Sequence, residues 1–232
     1  IPLVTAEDLL RFAPILAAVI PELKPMIGFD QRSPHHAYDL YTHVAHVVTG
    51  VPKDLTLRWA ALLHDIGKVS TFTRDETGRG HFYGHAPKGA EMADEVLRRL
   101  KSPTALRHQV VLLIEKHMTR LQPEKKQLRR WIGRLGWETA EQLLALQKAD
   151  MGSKGTGNPE DMEVFWEIEK LLEEIREEDS CLSLKDLAVK GNDLMALGIT
   201  GKAIGQTLND LLEQVLEETL PNEKDALISY VK

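Results

Sequence analysis

One cysteine, Cys181, is the whole thiol content of these 232 residues. No disulfide can close within the chain, and a reducing, cytoplasmic setting is expected. No apolar run approaches the roughly 20 residues that a membrane-spanning helix needs, which excludes a membrane partner of that kind. No stretch reads as a signal peptide, and Ile1 reads as a cut or processed terminus. Net positive charge is missing as well. The balance is −6 at pH 7, which argues against a generic nucleic-acid binder, because phosphate contacts need clustered Lys and Arg. Neither an internal repeat nor a low-complexity tract is visible. What is present is 43% apolar residues, enough for one sizeable domain with a small appendage. Charge is uneven: Arg98-Arg99, Lys125-Lys126, Arg129-Arg130 and Arg134 cluster in 98–134, while 160–179 is strongly acidic.

Six side chains that can ligate a metal lie at wide intervals: His43, the pair His64-Asp65, His85, His117 and Asp150. The pair closes the string Ala-Ala-Leu-Leu-His-Asp-Ile-Gly-Lys (60–68), whose helix, 55–66, is apolar on nearly every side and is expected to be buried all round. An imidazole and a carboxylate there lose their water, and a cation is the natural compensation. Each of the others falls in register with an apolar helical stripe: His43 with Leu40 and Val47, His85 with Gly89 and Met92, His117 with Val110 and Ile114, Asp150 with Leu143 and Leu146. Five helices aiming polar ligands at one point is how a metal site is built inside a helical bundle. One His-Asp pair alone would be weak support, and a single histidine on an apolar face is ordinarily a core residue bonded to a carbonyl. His46 and His108 are rotated off the stripes and read as solvated. His81 falls in a loop or hairpin and His35-His36 precede a helix; all three read as surface residues within reach of a substrate.

The fold expected is all-α: a helical bundle, a small β-hairpin formed by Thr71-Phe-Thr and His81-Phe-Tyr, and a helical C-terminal extension. Thr5 and Asp8 form a capping box for a first helix that Pro14 is expected to bend. Helices are expected at 85–101, 103–121, 125–135 and 137–151. The domain boundaries expected are 1–151 for the bundle, 152–180 for a Gly-rich break with an acidic helix, and 181–232 for a small helical tail. The glycines of 198–205 can present amide N–H groups to a phosphate or simply close a tight helix-turn-helix.

Four imidazoles and two carboxylates without thiolates suit Mn, Fe, Co, Ni or Zn, and suit Mg less well. Six ligands are too many for one open ion but fit two, with Asp65 as the bridge, His43, His64 and Asp150 on one ion and His85 and His117 on the other. Two such ions about 3.5–4 Å apart can clamp a phosphate and activate a shared water. Asp65 and Lys68 are then the catalytic candidates, with Lys68 neutralising phosphate or protonating a leaving group, unless it is a plain surface lysine. Lys68, Lys88 and Arg134 are the candidate substrate contacts.

The order and spacing of these residues resemble the HD superfamily of metal-dependent phosphohydrolases, whose central motif is similar to His-Asp-Ile-Gly-Lys (64–68). Pro21-Glu-Leu, Gln31, His36-Ala-Tyr-Asp39 with His43, Tyr83-Gly-His-Ala, Lys148-Ala-Asp, and the tail Lys190-Gly-Asn-Asp-Leu-Met-Ala-Leu-Gly through Pro221-Asn-Glu resemble the HD and C-terminal region of bacterial CCA-adding tRNA nucleotidyltransferases. In that family a nucleotidyltransferase domain lies upstream. No such segment is found here, so this chain by itself is not expected to add nucleotides. The resemblance implies a hydrolase of phosphomonoesters or 2′,3′-cyclic phosphates on nucleotides or RNA ends. The second reading is a non-catalytic, tRNA-binding body with a vestigial metal site.

Overall fold

The computed structural model describes residues 3–34, 37–156, 160–178 and 181–232. His35, His36 and part of the Gly-rich break lie outside the described residues. The helices in chain order are α1 (Ala6–Arg11), α2 (Ala13–Val19), α3 (Leu40–Gly50), α4 (Leu55–Leu63), α5 (Lys68–Thr71), α6 (His85–Arg99), α7 (Thr104–Lys116), α8 (Lys125–Leu135), α9 (Trp137–Gly152), α10 (Glu160–Glu177), α11 (Gly191–Ala196), α12 (Lys202–Leu216) and α13 (Lys224–Val231), with a 3-10 turn at Pro21–Met26. The only strands among the described residues, β1 (Thr73–Arg74) and β2 (Gly80–His81), pair antiparallel with Thr73 opposite His81. The fold is therefore all-α with a small β-hairpin, as the periodicity predicts. No helix among the described residues is long and apolar enough to cross a membrane.

Two compact units divide the chain: Ile1–Arg120 with Glu141–Phe165, and Leu121–Ala140 with Trp166–Lys232. In the first unit Thr5 and Asp8 form the expected capping box of α1. Pro14 does more than bend this helix: the chain breaks at Phe12, and Pro14 sits in the first turn of a new helix, α2, where its missing N–H costs nothing. The Asp39 side chain caps α3 through the amides of Tyr41 and Thr42, and Asp54 caps α4 through Leu57. The core is Leu40, Val44, Val47 and Val48 of α3, Ala60 to Leu63 of α4, Ala93, Val96 and Leu97 of α6, and Val110, Leu113 and Ile114 of α7. Each large member contributes about 1.5–3 kcal/mol on leaving water. Leu55 is exposed and Thr56 and Trp59 are half-buried, so α4 is not buried on every side. Within it, buried Arg58 donates to the Val4 carbonyl at 3.1 Å, tying α4 to the start of the chain.

The second unit has its own small core of Leu187, Val189, Leu194, Leu211 and Leu227, with Cys181, Ile204, Leu208 and Val215 packed against it. The cations clustered in 125–130 are paired with acids of the same unit. Lys125 pairs with Glu174 and Glu178 at 2.7 Å each. Arg129 pairs with Glu178 at 2.5 Å and with Glu218, and Arg130 pairs with Glu213 at 3.0 Å and with Glu217. The acidic run of α10 and the acid-rich end of α12 thus neutralise the cations of α8. Arg134 keeps an exposed guanidinium, 3.9 Å from Glu213.

Burial, and next the Asp186 carboxylate, push the Cys181 thiol up to about 11. The thiolate is the reactive species, so at pH 8 Cys181 should alkylate roughly 100-fold more slowly in the folded chain than in denaturant. Rates with iodoacetamide in the two conditions check this, and equal rates would show an ordinary, accessible thiol.

Candidate metal centre

The six polar side chains meet in the first unit, and helix ends deliver most of them. His64 directly follows α4, His85 opens α6, His117 directly follows α7, and Asp150 lies in the last turn of α9, while His43 comes from the first turns of α3. The periodicity predicts these ligands as members of helical stripes. α7 instead ends at Lys116, short of the predicted 121, so that His117, like His64 after α4, is a C-cap residue, while His43, His85 and Asp150 lie inside their helices.

Each imidazole is fixed from behind by a backbone carbonyl. Nδ1–H of His43 donates to Ser153 O at 3.1 Å, His64 to Ala61 O at 2.8 Å, His85 to Phe82 O at 2.8 Å, and His117 to Ile114 O at 2.6 Å. A carbonyl can only accept, so Nδ1 carries the proton and Nε2 is left to face the cluster, the arrangement that orients metal-ligating histidines. The inward atoms then fall into two groups sharing Asp65. Asp65 Oδ2 lies 3.2 Å from His64 Nε2 and 3.6 Å from His43 Nε2, and Asp150 Oδ1 lies 3.0 Å from His43 Nε2. Asp65 Oδ1 lies 3.5 Å from His85 Nε2 and 3.9 Å from His117 Nε2, and those two nitrogens are 3.3 Å apart. With metal–ligand bonds of about 2.0–2.1 Å, neighbouring ligand atoms on one ion lie about 3–3.5 Å apart. Each group, His43–His64–Asp65 and Asp65–His85–His117, is close enough and buried enough to hold an ion. Two lone pairs facing each other across 3.3 Å in a dry site repel, and a cation between them removes that cost. The donor set fits a borderline divalent metal.

Charge divides the same way. Burial pulls the His64 imidazole down, but the charge of Asp65 and then the bond to Asp150 outweigh it and hold its pKa at about 10. Burial likewise opposes the Asp65 and Asp150 carboxylates, yet His64 with Lys68, and His43 with His64, keep them well below the ordinary carboxylate value. In the other group burial pushes His85 down, and burial with the His64 charge pushes His117 down to about 4. Without metal, a proton on His64 serves as the counter-charge, and an ion must displace it.

Lys68 is buried, not a surface lysine. Its Nζ lies 2.7 Å from Asp65 Oδ2, donates to Gln31 Oε1 at 3.1 Å, and sits over the Phe82 ring. Sequence reasoning assigned no role to Gln31, although its amide is almost fully buried behind Lys68. Phe82 packs on Phe29 and Phe72, which holds the hairpin so that the Phe82 carbonyl reaches His85. A cleft of about 280 Å³ opens onto Asp65, Lys68, His85 and Asp150, with His81, Tyr83, Met118 and Lys154 on its walls. His81 is held there by Asp75 at 2.8 Å and stacks on Tyr83. Lys88 is elsewhere, exposed and paired with Glu91 at 3.0 Å, and Arg134 belongs to the second unit. Lys88 does not join the cluster. His108 is exposed as expected, whereas His46 is half-buried against Tyr38 and not solvated.

Residues 85–231 match the family model described as tRNA nucleotidyltransferase domain 2, putative. The chain belongs to the tRNA nucleotidyltransferase family. It is 35% identical over 210 residues to the A-adding tRNA nucleotidyltransferase of Deinococcus radiodurans, covering 86% of this chain and 47% of that one. It is 33% identical over 225 residues to the CC-adding tRNA nucleotidyltransferase of Thermus thermophilus, covering 94% of this chain and 50% of that one. A shorter match, 38% over 112 residues, covers 47% of this chain and 27% of a multifunctional CCA protein of Aromatoleum aromaticum. The chain thus spans about half the length of its two long-matching relatives. These relatives carry the names of transferases, and that overturns the expectation of a phosphohydrolase. The His-Asp signature specified ligands, and ligands alone do not specify a reaction.

Proposed function

We propose that this chain is the tRNA-holding portion of a tRNA nucleotidyltransferase-type protein. The similarity to the two long relatives, over 86% and 94% of the chain, carries this reading. We propose further that the cluster holds two divalent ions, Mn, Fe, Co, Ni or Zn, bridged by Asp65. The four carbonyl-tethered imidazoles support that. When bound, the ions would supply a fixed positive charge beneath the cleft. The residues themselves would tie α3, the α4–α5 turn, α6, α7 and α9 to one point, giving the unit a common anchor.

Metal analysis of the purified chain tests the second part. About two ions per chain are expected; His117→Ala should leave about one, and His108→Ala should leave both. Two ions retained by His117→Ala would remove His85 and His117 from the site.

Filter binding of an unmodified tRNA transcript tests the first part. The cations of α8 are already paired, so few remain for phosphates, and log affinity should fall with log salt at a slope of only about −2 to −3. We assign the RNA contact to the tail, 181–232. Cutting it off would strip Leu187, Leu211 and the partners of Arg129 and Arg130 from the second unit. Charge reversal at exposed Lys185 and Lys202 is the cleaner test, and the pair should weaken binding about tenfold at low salt. No saturable binding of tRNA would sink the tRNA-holding role, and binding indifferent to Lys185→Glu/Lys202→Glu would move it off the tail.

A further inference from the structure

The cations of α8 fall into two rows with different surroundings. Lys125 and Arg129 hold Glu174, Glu178 and Glu218, and the Arg129 side chain is only 10% exposed. Together with buried Leu128 and Ile132, Arg129 anchors α8 in its unit. Lys126, Arg130 and Arg134 form the other row, four residues apart along one face of the helix and 51%, 31% and 75% exposed. Two acids of α12, Glu213 and Glu217, run alongside it, again four residues apart. Arg130 donates through Nε to Glu213 Oε2 at 3.0 Å and through a terminal nitrogen to Glu217. Lys126 lies 3.4 Å from Glu217, and Arg134 lies 3.9 Å from Glu213. Ion pairs this exposed contribute little to stability, because water solvates both partners and salt screens them. The buried row holds the helix in place, so the outer row is free to serve something else.

We propose that Glu213 and Glu217 shield an RNA-backbone contact: they occupy the Lys126–Arg130–Arg134 row in place of phosphates and keep the unit's grip on tRNA weak. The inference rests on the tRNA-holding reading above. Four residues of helix advance about 6 Å, a step of the same size as that between neighbouring phosphates on an RNA strand. Three cations at that step can follow a strand, and two carboxylates at that step imitate one from within the chain. The shield is incomplete. Three cations face two acids, and the most loosely paired cation, Arg134 at 3.9 Å, is also the most exposed. Once the acids are neutralised, a phosphate chain fits the row well. Guanidinium groups pair bidentately with phosphate, and each phosphate neutralised releases a condensed counterion. Differences in affinity reside mostly in the dissociation rate, so the shield shortens the time that tRNA stays bound.

Filter binding of an unmodified tRNA transcript to the full chain tests the shield. Glu213→Gln/Glu217→Gln should bind about tenfold tighter at low salt, with a log–log salt slope steeper by about 2. Glu91→Gln/Glu115→Gln makes the same change of net charge in the first unit and likewise releases two lysines, Lys88 and Lys116. That control should stay within about twofold of the native chain. Adding Lys126→Gln/Arg130→Gln to the acid variant restores the native net charge and should remove the gain. The acid variant should keep its melting temperature within a few degrees, and its unfolding would overturn the proposal by showing that the outer pairs hold the unit together. A native chain that binds while the acid variant binds no tighter would also overturn the shield. So would an equal gain in the Glu91/Glu115 control, or a gain that survives loss of Lys126 and Arg130. Each of these outcomes leaves the tRNA-holding role standing. Absence of saturable binding by both the native chain and the acid variant would sink that role and the shield with it, so the two failures are distinguishable.

Discussion

Asp65→Ala should leave the chain with less than one bound ion and a melting temperature lower by about 10 °C. Both effects follow from one carboxylate facing three ways. Oδ1 faces His85 and His117, Oδ2 faces His43 and His64, and Lys68 closes on Oδ2 at 2.7 Å. Removing it takes the shared ligand from both proposed ions and strands a buried ammonium. Stranding a buried charge costs about 3–5 kcal/mol, and each kcal/mol moves the transition of a chain this long by about 2–4 °C. The double variant Asp65→Ala/Lys68→Met separates the two effects: stability should return, and metal should not. The metal-free chain should also show a matching pH profile. Asp65 and Asp150 sit well below 3.8, so their contribution is present above about pH 4 and fades as pH falls through their folded values. His64 is raised from 6.5 to about 10, so its contribution is complete below 6.5 and fades as pH rises toward 10. His117, lowered to about 4, works the other way, and with His85 it costs stability as pH falls below 6.5. Stability with chelator present should therefore peak near pH 6.5, and Asp65→Ala should flatten the alkaline side of the profile. Two ions retained in Asp65→Ala would end the bridging assignment.

Much of the helical order was legible because it is local. Thr5 and Asp8 cap a helix in the sequence and do so in the fold, and 125–135 is predicted and found as α8. That six polar side chains converge was legible for a different reason: imidazoles and carboxylates in apolar stripes have nowhere to go but toward one another. What failed depends on partners distant in sequence. Arg129 and Arg130 show in the sequence only as a cluster of cations, and their partners Glu178, Glu213, Glu217 and Glu218 arrive from 49 or more residues away. Lys68 looks equally like a surface residue until Gln31 and Phe82 enclose it. The reaction class failed at a deeper level, because a ligand set is shared by chemistries that differ in what else lines the cleft. The glycine after Ile66 belongs to the same group. The motif shows its position, but nothing in the sequence shows what crosses above it.

What crosses is α6. A Cβ on Gly67 would lie 2.3 Å from the His85 carbonyl oxygen and 2.7 Å from the Gly89 nitrogen. On the facing side, a Cβ on Gly89 would lie 3.3 Å from the His64 carbonyl oxygen. The two glycines let the α4–α5 turn and the first turn of α6 touch backbone to backbone, and that contact sets His85 Nε2 at 3.5 Å from Asp65 Oδ1. The clash at Gly67 is with main chain, which has no rotamer to yield. Overpacking of this kind costs about 1–3 kcal/mol, occasionally more, and here the strain is relieved only by moving α6 away from the turn. Gly67→Ala should therefore lose the His85–His117 ion first and keep the ion held by His43, His64 and Asp150, so that about one metal per chain remains. The melting temperature should fall by about 3–10 °C. Gly89→Ala, whose Cβ meets its nearest neighbour at 3.3 Å, should show the same loss in weaker form. Metal content and thermal unfolding of the two variants check the ordering. A Gly67→Ala chain that keeps both ions and its melting temperature would mean that the close crossing does not hold the two halves of the cluster together.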